Sequence, residues 1–371
     1  MLFGSFFFIE TEKEIYFFYK QPFYFWKIYY TKDMKKTIFP IICIVFSLLL
    51  FSCGKPTPVS RQEIAFGTVC SITLYEKNAE KVLEQCFLRL QELDDIFNVN
   101  EEESDINLIN KMAGLAPATV SEEAIFVLKQ AKDFAKLTNG NFDPTIGPLV
   151  KVWNINGGNP KVPNQSKIDK ARVLVNFENL ILNENTNTAY IEEDMSLDVG
   201  GIAKGFAADE MVKILAENNI TYGIINLGGN IFAYGTKNTE KKGESWNIGI
   251  KNPVNPDEGS AFSVKVKNKT VVTSGNYERF FEENGVRYHH IIDVKDGYPS
   301  QNGVVSFTII GDFSLMADAL STSCFILGKE KGIELLENLG IQGFCVTEDK
   351  KVYATKDLKE NLVILDKSFS F

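Results

Sequence analysis

The spacing of apolar residues along the chain predicts a first half rich in helices and a second half rich in strands. Apolar positions three and four residues apart are typical of helices, whereas short runs of β-branched and aromatic residues are typical of strands. By this criterion, helices are expected at residues 79–97, 121–137, 201–217, 315–327 and 330–339. Strands are expected at residues 66–75, 222–226, 246–251, 262–266, 270–273, 288–294 and 303–310.

The order of these elements indicates the fold class. Helices and strands do not alternate as they would in a doubly wound parallel sheet, and no repeat period is present after residue 61. We therefore expect one α+β domain that spans residues 66–371.

The segment before residue 66 has a different character. Residues 1–33 hold 14 of the chain's 45 aromatic residues without a helix or strand period, and we interpret them as an upstream over-read that precedes a true start at Met34. A short basic start, an apolar stretch and the run LFSC ending at Cys53 resemble a bacterial lipoprotein signal at residues 34–52. Cys53 would then carry lipid, residues 53–65 would form a tether, and the protein would be exported and anchored to the bacterial membrane, facing the periplasm. The alternative is a plain membrane anchor in which the cysteine has no role.

Composition and charge exclude several classes of function. The chain of 371 residues carries 48 acidic and 39 basic side chains, a net charge of −9, which argues against a nucleic-acid binder. With 44% hydrophobic residues it can form a core, so wholesale disorder is excluded. Two histidines and scattered cysteines argue against a zinc framework. The cysteines after the leader have apolar neighbours and are expected to be buried free thiols, with disulfides as the alternative: Cys70, Cys86, Cys324 and Cys345.

Two segments could form parts of a ligand pocket. The run NFDPTIGPL at residues 141–149 holds two prolines and a glycine, which predicts a rigid irregular loop, either a plain turn or one wall of a pocket for a planar ligand. The run LDVGGIAKG at residues 197–205 places two glycines before a helix, where backbone N–H groups can approach a phosphate. Asp198 is either the N-cap of that helix or the partner of a ligand hydroxyl, and Lys204 is a cation that could meet a pyrophosphate.

Three further segments carry candidate chemistry. Residues 224–230 (IINLGGN) end in a glycine turn that suits a hairpin and a binding site equally well. His289 and His290 are adjacent on a predicted strand, so only one can enter a given pocket; such a histidine is either a general base or a surface residue. Asp318 and Thr322 lie four residues apart on one face of a helix, which offers Mg²⁺ two hard oxygen ligands unless they belong to an ordinary polar stripe.

The order and the amino-acid sequences of these motifs resemble those of the FAD:protein FMN transferase family, the ApbE-type flavin transferases. The resemblance runs from about residue 66 to residue 353 and rests on FGT (66–68), FDPTIGPLVKVW, DVGGIAKG, INLGGN, TSGNY (273–277), HIID and ADALSTSCFILG. It implies a single domain with a mixed, mainly antiparallel sheet and flanking helices. It also implies a Mg²⁺-dependent enzyme that takes FAD as substrate, passes FMN to a threonine hydroxyl of a partner protein and releases AMP. The usual acceptors resemble subunits of sodium-pumping NADH:quinone reductases and Rnf-type electron-transport complexes.

The resemblance also implies roles for individual residues. Asp318 and Thr322 fall on metal-ligand positions, and Gly201 would give its backbone carbonyl to the same ion. His290 falls on the histidine near the reacting phosphate and, with Asp318, is expected to be catalytic. The remaining residues are expected to contact the flavin nucleotide: Phe66, Asn100, Asn141, Phe142, Asp143, Asp198, Lys204, Asn226, Gly228, Gly229, Thr273, Ser274 and Gly275.

One departure from the family pattern concerns Asn100, which falls where relatives often have a tyrosine that stacks over the flavin. Loss of that aromatic ring would remove stacking worth about 1 kcal/mol and open this side of the site to water. A wetter site would favour hydrolysis, so a Mg²⁺-dependent FAD pyrophosphatase that gives FMN and AMP is an alternative. A flavin-binding lipoprotein without turnover is a third possibility, although flavin storage needs no metal ligands.

Overall fold

The computed structural model describes residues 58–76, 79–237 and 243–371, and before them only the backbone of three strands. These strands, β1 (Phe6–Glu10), β2 (Glu14–Tyr19) and β3 (Tyr24–Tyr29), form an antiparallel sheet in a separate unit, residues 1–56. Strands thus form within residues 1–33 although the sequence there has no strand period, because aromatic residues favour strands. Their interpretation as an upstream over-read stays a prediction. The predicted signal peptide and Cys53 lie outside the described residues.

The second unit, residues 57–371, holds the remaining elements. Its strands are β4 (Val59–Ala65), β5 (Thr68–Leu74), β6 (Ala118–Thr119), β7 (Ile181–Asn183), β8 (Thr188–Tyr190), β9 (Tyr222–Leu227), β10 (Asn230–Gly235), β11 (Trp246–Lys251), β12 (Ser260–Val266), β13 (Lys269–Gly275), β14 (Phe280–Glu283), β15 (Val286–His289), β16 (Ile292–Asp293), β17 (Tyr298–Pro299), β18 (Val304–Gly311), β19 (Gln342–Thr347), β20 (Val352–Ala354) and β21 (Leu362–Ile364). Its helices are α1 (Glu80–Phe97), α2 (Asp105–Lys111), α3 (Glu122–Leu137), α4 (Gly147–Trp153), α5 (Gln165–Arg172), α6 (Ala203–Glu217), α7 (Ser314–Leu339) and α8 (Lys356–Lys359). In the described part of the chain, no helix is both long enough and apolar enough to cross a membrane.

An eight-stranded sheet forms the centre of this unit. Its strands follow the order β20-β19-β18-β13-β10-β9-β5-β4, and every neighbouring pair is antiparallel. Every residue of β18 is buried because this strand is covered on both faces, which explains its continuous apolar sequence. The predicted α+β class with a mainly antiparallel sheet is confirmed.

Helices cover one face of the central sheet and a smaller sheet covers the other. Leu90 of α1 and Leu128 of α3 share a core with Ile225 of β9. On the opposite face, β11, β12 and β21 form a three-stranded sheet. Phe262 of β12 meets Phe344 of β19 edge to face, with ring centroids 5.3 Å apart. The central sheet therefore separates two hydrophobic cores.

The prediction that residues 53–65 form a tether is wrong for residues 59–65, which form the edge strand β4. It pairs with β5 along its whole length, from Val59 opposite Leu74 to Ala65 opposite Thr68. Its polar sequence, VSRQEIA, is explained by its position, because an edge strand pairs on one side only and leaves most of its side chains exposed. The folded unit therefore begins before residue 66.

The two helices predicted near the C-terminus are confirmed as the two parts of α7. The helix breaks at Gly328, whose φ of +82° is readily adopted only by glycine. Asn302 Nδ2 donates to the carbonyls of Phe325 (2.7 Å) and Ile326 (3.1 Å), which lie just before the break. The first part of α7 carries Asp318 and Thr322.

Candidate active site

A cleft of about 550 Å³ forms where β10 and β13 meet the first turns of α6 and α7. Most of the residues predicted to bind nucleotide or metal line this cleft: Asn141, Phe142, Asp143, Asp198, Gly201, Lys204, Gly228, Gly229, Thr273, Ser274, Gly275, His290, Asp318 and Thr322. The fold thus brings together segments that are far apart in the sequence.

Phe66 and Asn226 do not line the cleft but hold the backbone beside it. Phe66 has a φ of +52° and donates its N–H to Asp94 Oδ1 at 2.9 Å, and the two residues after it line the cleft. Asn226 Oδ1 accepts the N–H of Gly229 at 2.9 Å. Gly228 and Gly229 have φ of +60° and +97°, as a two-residue hairpin turn requires, so this segment is both a hairpin and part of the cleft wall.

A second cleft, of about 970 Å³, adjoins the first. The residues that line both are Val150, Asn156, Asp198, His290 and Ile292. Asn100 is exposed and lines only the second cleft. Its polar side chain and His290 therefore border the same space.

The loop at residues 141–146 is held in shape by Asp143. Asp143 Oδ1 accepts the N–H and the hydroxyl of Thr145 at 2.8 and 2.7 Å, and Oδ2 accepts the N–H of Phe177 at 3.0 Å. Burial raises the pKa of this carboxyl, and the three hydrogen bonds oppose the rise. The irregular loop is shorter than predicted, because α4 begins with Pro148 in its first turn, where no N–H donor is needed.

Two buried amides leave a polar atom without a partner beside the cleft. Asn141 Nδ2 donates to the Thr138 carbonyl, which fixes the orientation of the amide, and Asn141 Oδ1 has no partner among the described residues. Asn230 Nδ2, at the start of β10, also lacks one. Buried polar groups are normally hydrogen-bonded, so a polar ligand in the cleft would complete both.

Asp198 stabilises a turn rather than a helix end. Its Oδ1 accepts the N–H of Gly200 at 2.8 Å, whereas α6 begins at Ala203, so the N-cap alternative is wrong. Lys204 Nζ lies 2.9 Å from the Gly200 carbonyl and 3.9 Å from Asp318 Oδ2. A positive charge thus stands beside the buried carboxylate of α7.

Asp318 and Thr322 form a cluster of oxygen atoms at the cleft. Asp318 Oδ2 accepts the N–H of Gly205 at 2.9 Å, and Oδ1 has no hydrogen-bond partner among the described residues. Thr322 Oγ1 lies 3.3 Å from Ser274 Oγ. A Cβ on Gly201 would lie 3.4 Å from the same Thr322 oxygen, so the glycine brings main chain against the hydroxyl. Carboxylate, hydroxyl and main-chain oxygens are hard ligands, and these residues fit Mg²⁺.

The strand predicted at residues 288–294 is broken after His289. β15 ends at His289 and pairs with β14, whereas β16 begins at Ile292 and pairs with β17. His289 is buried, its Nε2 lies 2.9 Å from the Ser300 carbonyl, and burial lowers its pKa to about 4. As expected, only one of the two histidines, His290, enters the cleft.

The contacts of His290 leave one ring nitrogen available. Its Nδ1 lies 3.3 Å from the carbonyl of Arg279, which also accepts the His290 N–H at 3.1 Å. A carbonyl can only accept, so we assign the proton to Nδ1 and the lone pair to Nε2. Burial and then the charge of Arg279 lower the pKa of His290, which keeps the ring neutral. A neutral imidazole with a free nitrogen can act as a general base.

The sequence analysis missed several polar residues of the cleft. Lys251 at the end of β11, and Glu278 and Arg279 between β13 and β14, line the cleft, as does Asn230. The available signal was the run TSGNYER, in which charged residues follow a strand end made of small residues. With Lys204, these residues give the cleft three cationic side chains within the described sequence.

The cysteines in the described part of the chain are buried free thiols, as expected: Cys70, Cys86, Cys324 and Cys345. Burial raises the pKa of Cys70 to about 11, so its thiolate is scarce at neutral pH. These residues behave as small apolar core side chains.

Comparisons with known proteins agree with this geometry. A family model described as the ApbE family matches residues 66–345. A protein named FAD:protein FMN transferase from Treponema pallidum (strain Nichols) is 35% identical over 348 residues, 89% of this chain and 96% of its own. Another of that name, from Klebsiella pneumoniae (strain 342), is 32% identical over 312 residues, 84% of this chain and 96% of its own.

Solved structures share the fold. The crystal structure of the ApbE protein from Thermotoga maritima MSB8 superposes with a TM-score of 0.77 at 32% identity, covering 82% of this chain and 99% of that one. The structure of the flavin transferase ApbE from Vibrio cholerae superposes with a TM-score of 0.71 at 26% identity, with the same coverage. Given the matched span and the identity to these relatives, the chain belongs to the ApbE family.

Proposed function

We propose that this protein is an FAD:protein FMN transferase that, with Mg²⁺, passes FMN from FAD to a threonine hydroxyl of a partner protein and releases AMP. The observation that carries the proposal is the position of His290, which lines both clefts with Nε2 free, while Asp318 and Thr322 line the first cleft. The relatives named FAD:protein FMN transferase support the choice of substrate.

The proposed transfer breaks the phosphoanhydride bond of the FAD diphosphate and forms a phosphate ester with the acceptor hydroxyl. The acceptor oxygen bonds to the phosphorus of the FMN half, and the bond from that phosphorus to the bridging oxygen breaks, so AMP leaves with that oxygen. His290 Nε2 takes the proton of the acceptor hydroxyl, which contributes about 10²–10⁴-fold in rate. Lys204 and the positive end of α6 offset the negative charge of the diphosphate.

Asp318, Thr322 and the main chain at Gly201 would hold the metal ion. When bound, Mg²⁺ neutralises diphosphate charge and polarises the reacting phosphorus. The described residues contain no group of three or more His, Cys, Asp or Glu side chains that could hold a metal. The other coordination positions would therefore fall to water and substrate phosphate, as is usual for Mg²⁺.

Release of AMP from FAD tests the proposal. The protein is incubated with FAD and Mg²⁺, with and without a threonine-bearing acceptor domain, and AMP and acceptor-bound flavin are measured. We expect AMP release that depends on the acceptor and a flavin-labelled partner. Asp318→Ala should abolish AMP release and retain FAD binding, whereas Asp312→Ala, an exposed acid just before the same helix, should leave both unchanged. No AMP under any condition would contradict the proposal and leave a flavin-binding protein.

The exposed side chain of Asn100 favours FAD hydrolysis as a second candidate function. Asn100 borders the cleft that it shares with His290, and both its N–H and its Nδ2 group donate to Asn98 Oδ1, at 3.0 and 3.2 Å. Water can therefore reach the space in which the acceptor hydroxyl would lie. Asn100→Tyr should lower AMP release without acceptor, and an unchanged hydrolysis rate would contradict this explanation.

Location and partner are part of the same proposal. The lipobox-like run supports export and lipid attachment at Cys53, which would place the site at the periplasmic face of a membrane. The acceptor would then be a subunit of an Rnf-type or sodium-pumping NADH:quinone reductase complex. Mass spectrometry of the purified native protein tests the first point, because a lipid-modified Cys53 at the N-terminus is expected.

A further inference from the structure

Arg279 is a cation whose side chain the described residues leave unpaired. It is exposed, lines the first cleft, and its guanidinium makes no hydrogen bond or ion pair with a described residue. Its Nη2 lies 3.9 Å from the position that a Cβ on Gly67 would occupy, which places it along the wall where β4 turns into β5. A free guanidinium in a cleft has its donors available for a ligand.

The other two cations of the cleft are already engaged. Lys204 Nζ donates to the Gly200 carbonyl at 2.9 Å and lies 3.9 Å from Asp318 Oδ2. Lys251 Nζ lies 5.8 Å from the centroid of the Tyr277 ring, within the range of a cation–π contact. Arg279 is therefore the cation best able to meet an anionic ligand directly, and guanidinium matches the geometry of phosphate oxygens with paired N–H donors.

The main chain of Arg279 is hydrogen-bonded to His290, and both residues line the first cleft. Its carbonyl accepts the N–H of His290 and lies within hydrogen-bonding distance of Nδ1, so the two residues are fixed relative to each other. A phosphate bound by the guanidinium would lie in the cleft that His290 also lines. No other residue of the cleft is linked to His290 by two hydrogen bonds in the described structure.

We infer that Arg279 binds the phosphoryl group of the dinucleotide substrate beside His290 and so sets the distance between the reacting phosphorus and the base. This inference rests on the proposed function for the identity of the substrate, a dinucleotide with a diphosphate bridge. The ligand chemistry it assigns to Arg279 is that of a phosphate oxygen.

The same guanidinium also acts on the protonation of His290. Burial is the main cause of the low pKa of His290, and the charges of Arg279, His289 and Lys204 lower this pKa further. The other charged side chains that line the first cleft with His290 are Asp143, Asp198, Lys251, Glu278 and Asp318. The positive charges disfavour the imidazolium, and the charge of Arg279 contributes most among them. Removal of Arg279 should therefore raise the pKa of His290 toward its ordinary range.

Ligand binding with and without phosphate tests the inference. Binding of FAD and of riboflavin, which shares the isoalloxazine ring but has no phosphate, is measured by flavin fluorescence for wild type, Arg279→Ala, Arg279→Lys and Arg287→Ala. Arg287 is the matched control, because it lies on β15, pairs with Glu282 and does not line the cleft. We expect Arg279→Ala to weaken FAD binding about 10–100-fold, Arg279→Lys to restore part of it, and riboflavin binding to stay within twofold in every variant.

The pH profile supplies a readout that a merely structural role would not change. In Arg279→Ala the acidic limb of kcat/KM should move to higher pH, and in Arg287→Ala it should stay in place. Unchanged FAD binding in Arg279→Ala, or an equal loss of FAD and riboflavin binding, would overturn the inference. Failure of the proposed function would give a different result. Wild type would then bind FAD without releasing AMP, and Arg279→Ala would still weaken FAD binding.

Discussion

Asp318 is buried, yet the protein uses only one of its carboxylate oxygens for its own structure. Oδ2 accepts the Gly205 N–H and lies near Lys204, which satisfies the charge, while Oδ1 has no hydrogen-bond partner among the described residues. Asn141 shows the same division, with one amide atom bonded to the protein and the other free beside the cleft. At the scale of single residues, the mark of the site is therefore polar atoms that the fold holds in position but leaves without a hydrogen-bond partner among the described residues.

The two histidines give a matched pair of variants. His290→Ala should lower kcat about 10²–10⁴-fold because it removes the only cleft imidazole of the described residues, and FAD binding should change little. His289→Ala should instead lower the free energy of unfolding by about 1–3 kcal/mol, because it removes a buried side chain that is hydrogen-bonded to Ser300. Urea denaturation and AMP release separate the two effects. Full turnover by His290→Ala at every pH would mean that another group is the base.

At the scale of elements, α6 fixes the start of α7. Asp209 on α6 accepts the N–H of Ser314 at Oδ1 (2.8 Å) and that of Leu315 at Oδ2 (2.9 Å), and so supplies the cap that the preceding Phe313 cannot. A Cβ on Gly205 would lie 2.3 Å from the Ser314 carbonyl, so the helices touch through a glycine. This contact sets where Asp318 and Thr322 meet the cleft.

The carboxyl of Asp209 should make stability depend on pH. Burial raises its pKa to about 6, above the ordinary value of 3.8, although two N–H groups bind the ionised form. Between pH 4 and 6 the folded protein holds a proton that the unfolded chain has lost. The free energy of unfolding of wild type, measured relative to that of Asp209→Asn, should therefore fall by about 1–3 kcal/mol as the pH rises through this window. Above the window this difference should level off.

Urea denaturation at several pH values from 4 to 8 measures this difference. Asp257→Asn, at an exposed position outside α7, is the control. Its free energy of unfolding should differ from that of wild type by the same amount at every pH. If the difference between wild type and Asp209→Asn were also constant from pH 4 to 7, Asp209 would not carry the pH dependence.

At the scale of the whole molecule, the cleft lies where both halves of the sequence meet at the central sheet. Gly67 and the loop at residues 141–146 approach it from the first half of the chain. The turns next to Gly201 and Gly228, the His290 segment and α7 approach it from the second half. The sheet that supports these segments ends at β4, whose Arg61 guanidinium lies 5.1 Å from the centroid of the Phe87 ring of α1. The edge strand thus belongs to the structure that holds the site.

Removal of β4 tests its contribution. A chain of residues 66–371 should unfold at a temperature at least about 5 °C lower than a chain of residues 58–371, because it exposes the edge of β5 and loses a complete strand pairing. Thermal denaturation followed by circular dichroism measures this, and light scattering should show earlier aggregation of the shorter chain. Equal melting temperatures would indicate that residues 59–65 are a tether after all.

The sequence by itself determined the features that depend on near neighbours. The spacing of Asp318 and Thr322, the glycine turn at residues 228–229 and the break in α7 all follow from local pattern. The ordered motifs indicated the family and most of the cleft residues. Only the tertiary structure decided that Asp198 holds a turn, that β4 completes the sheet, that the cysteines are free thiols, and that the Arg279 guanidinium has no partner among the described residues. The physical reason is that a side chain's role depends on which hydrogen-bonding atoms and charges lie around it, and those come from segments that only folding brings together.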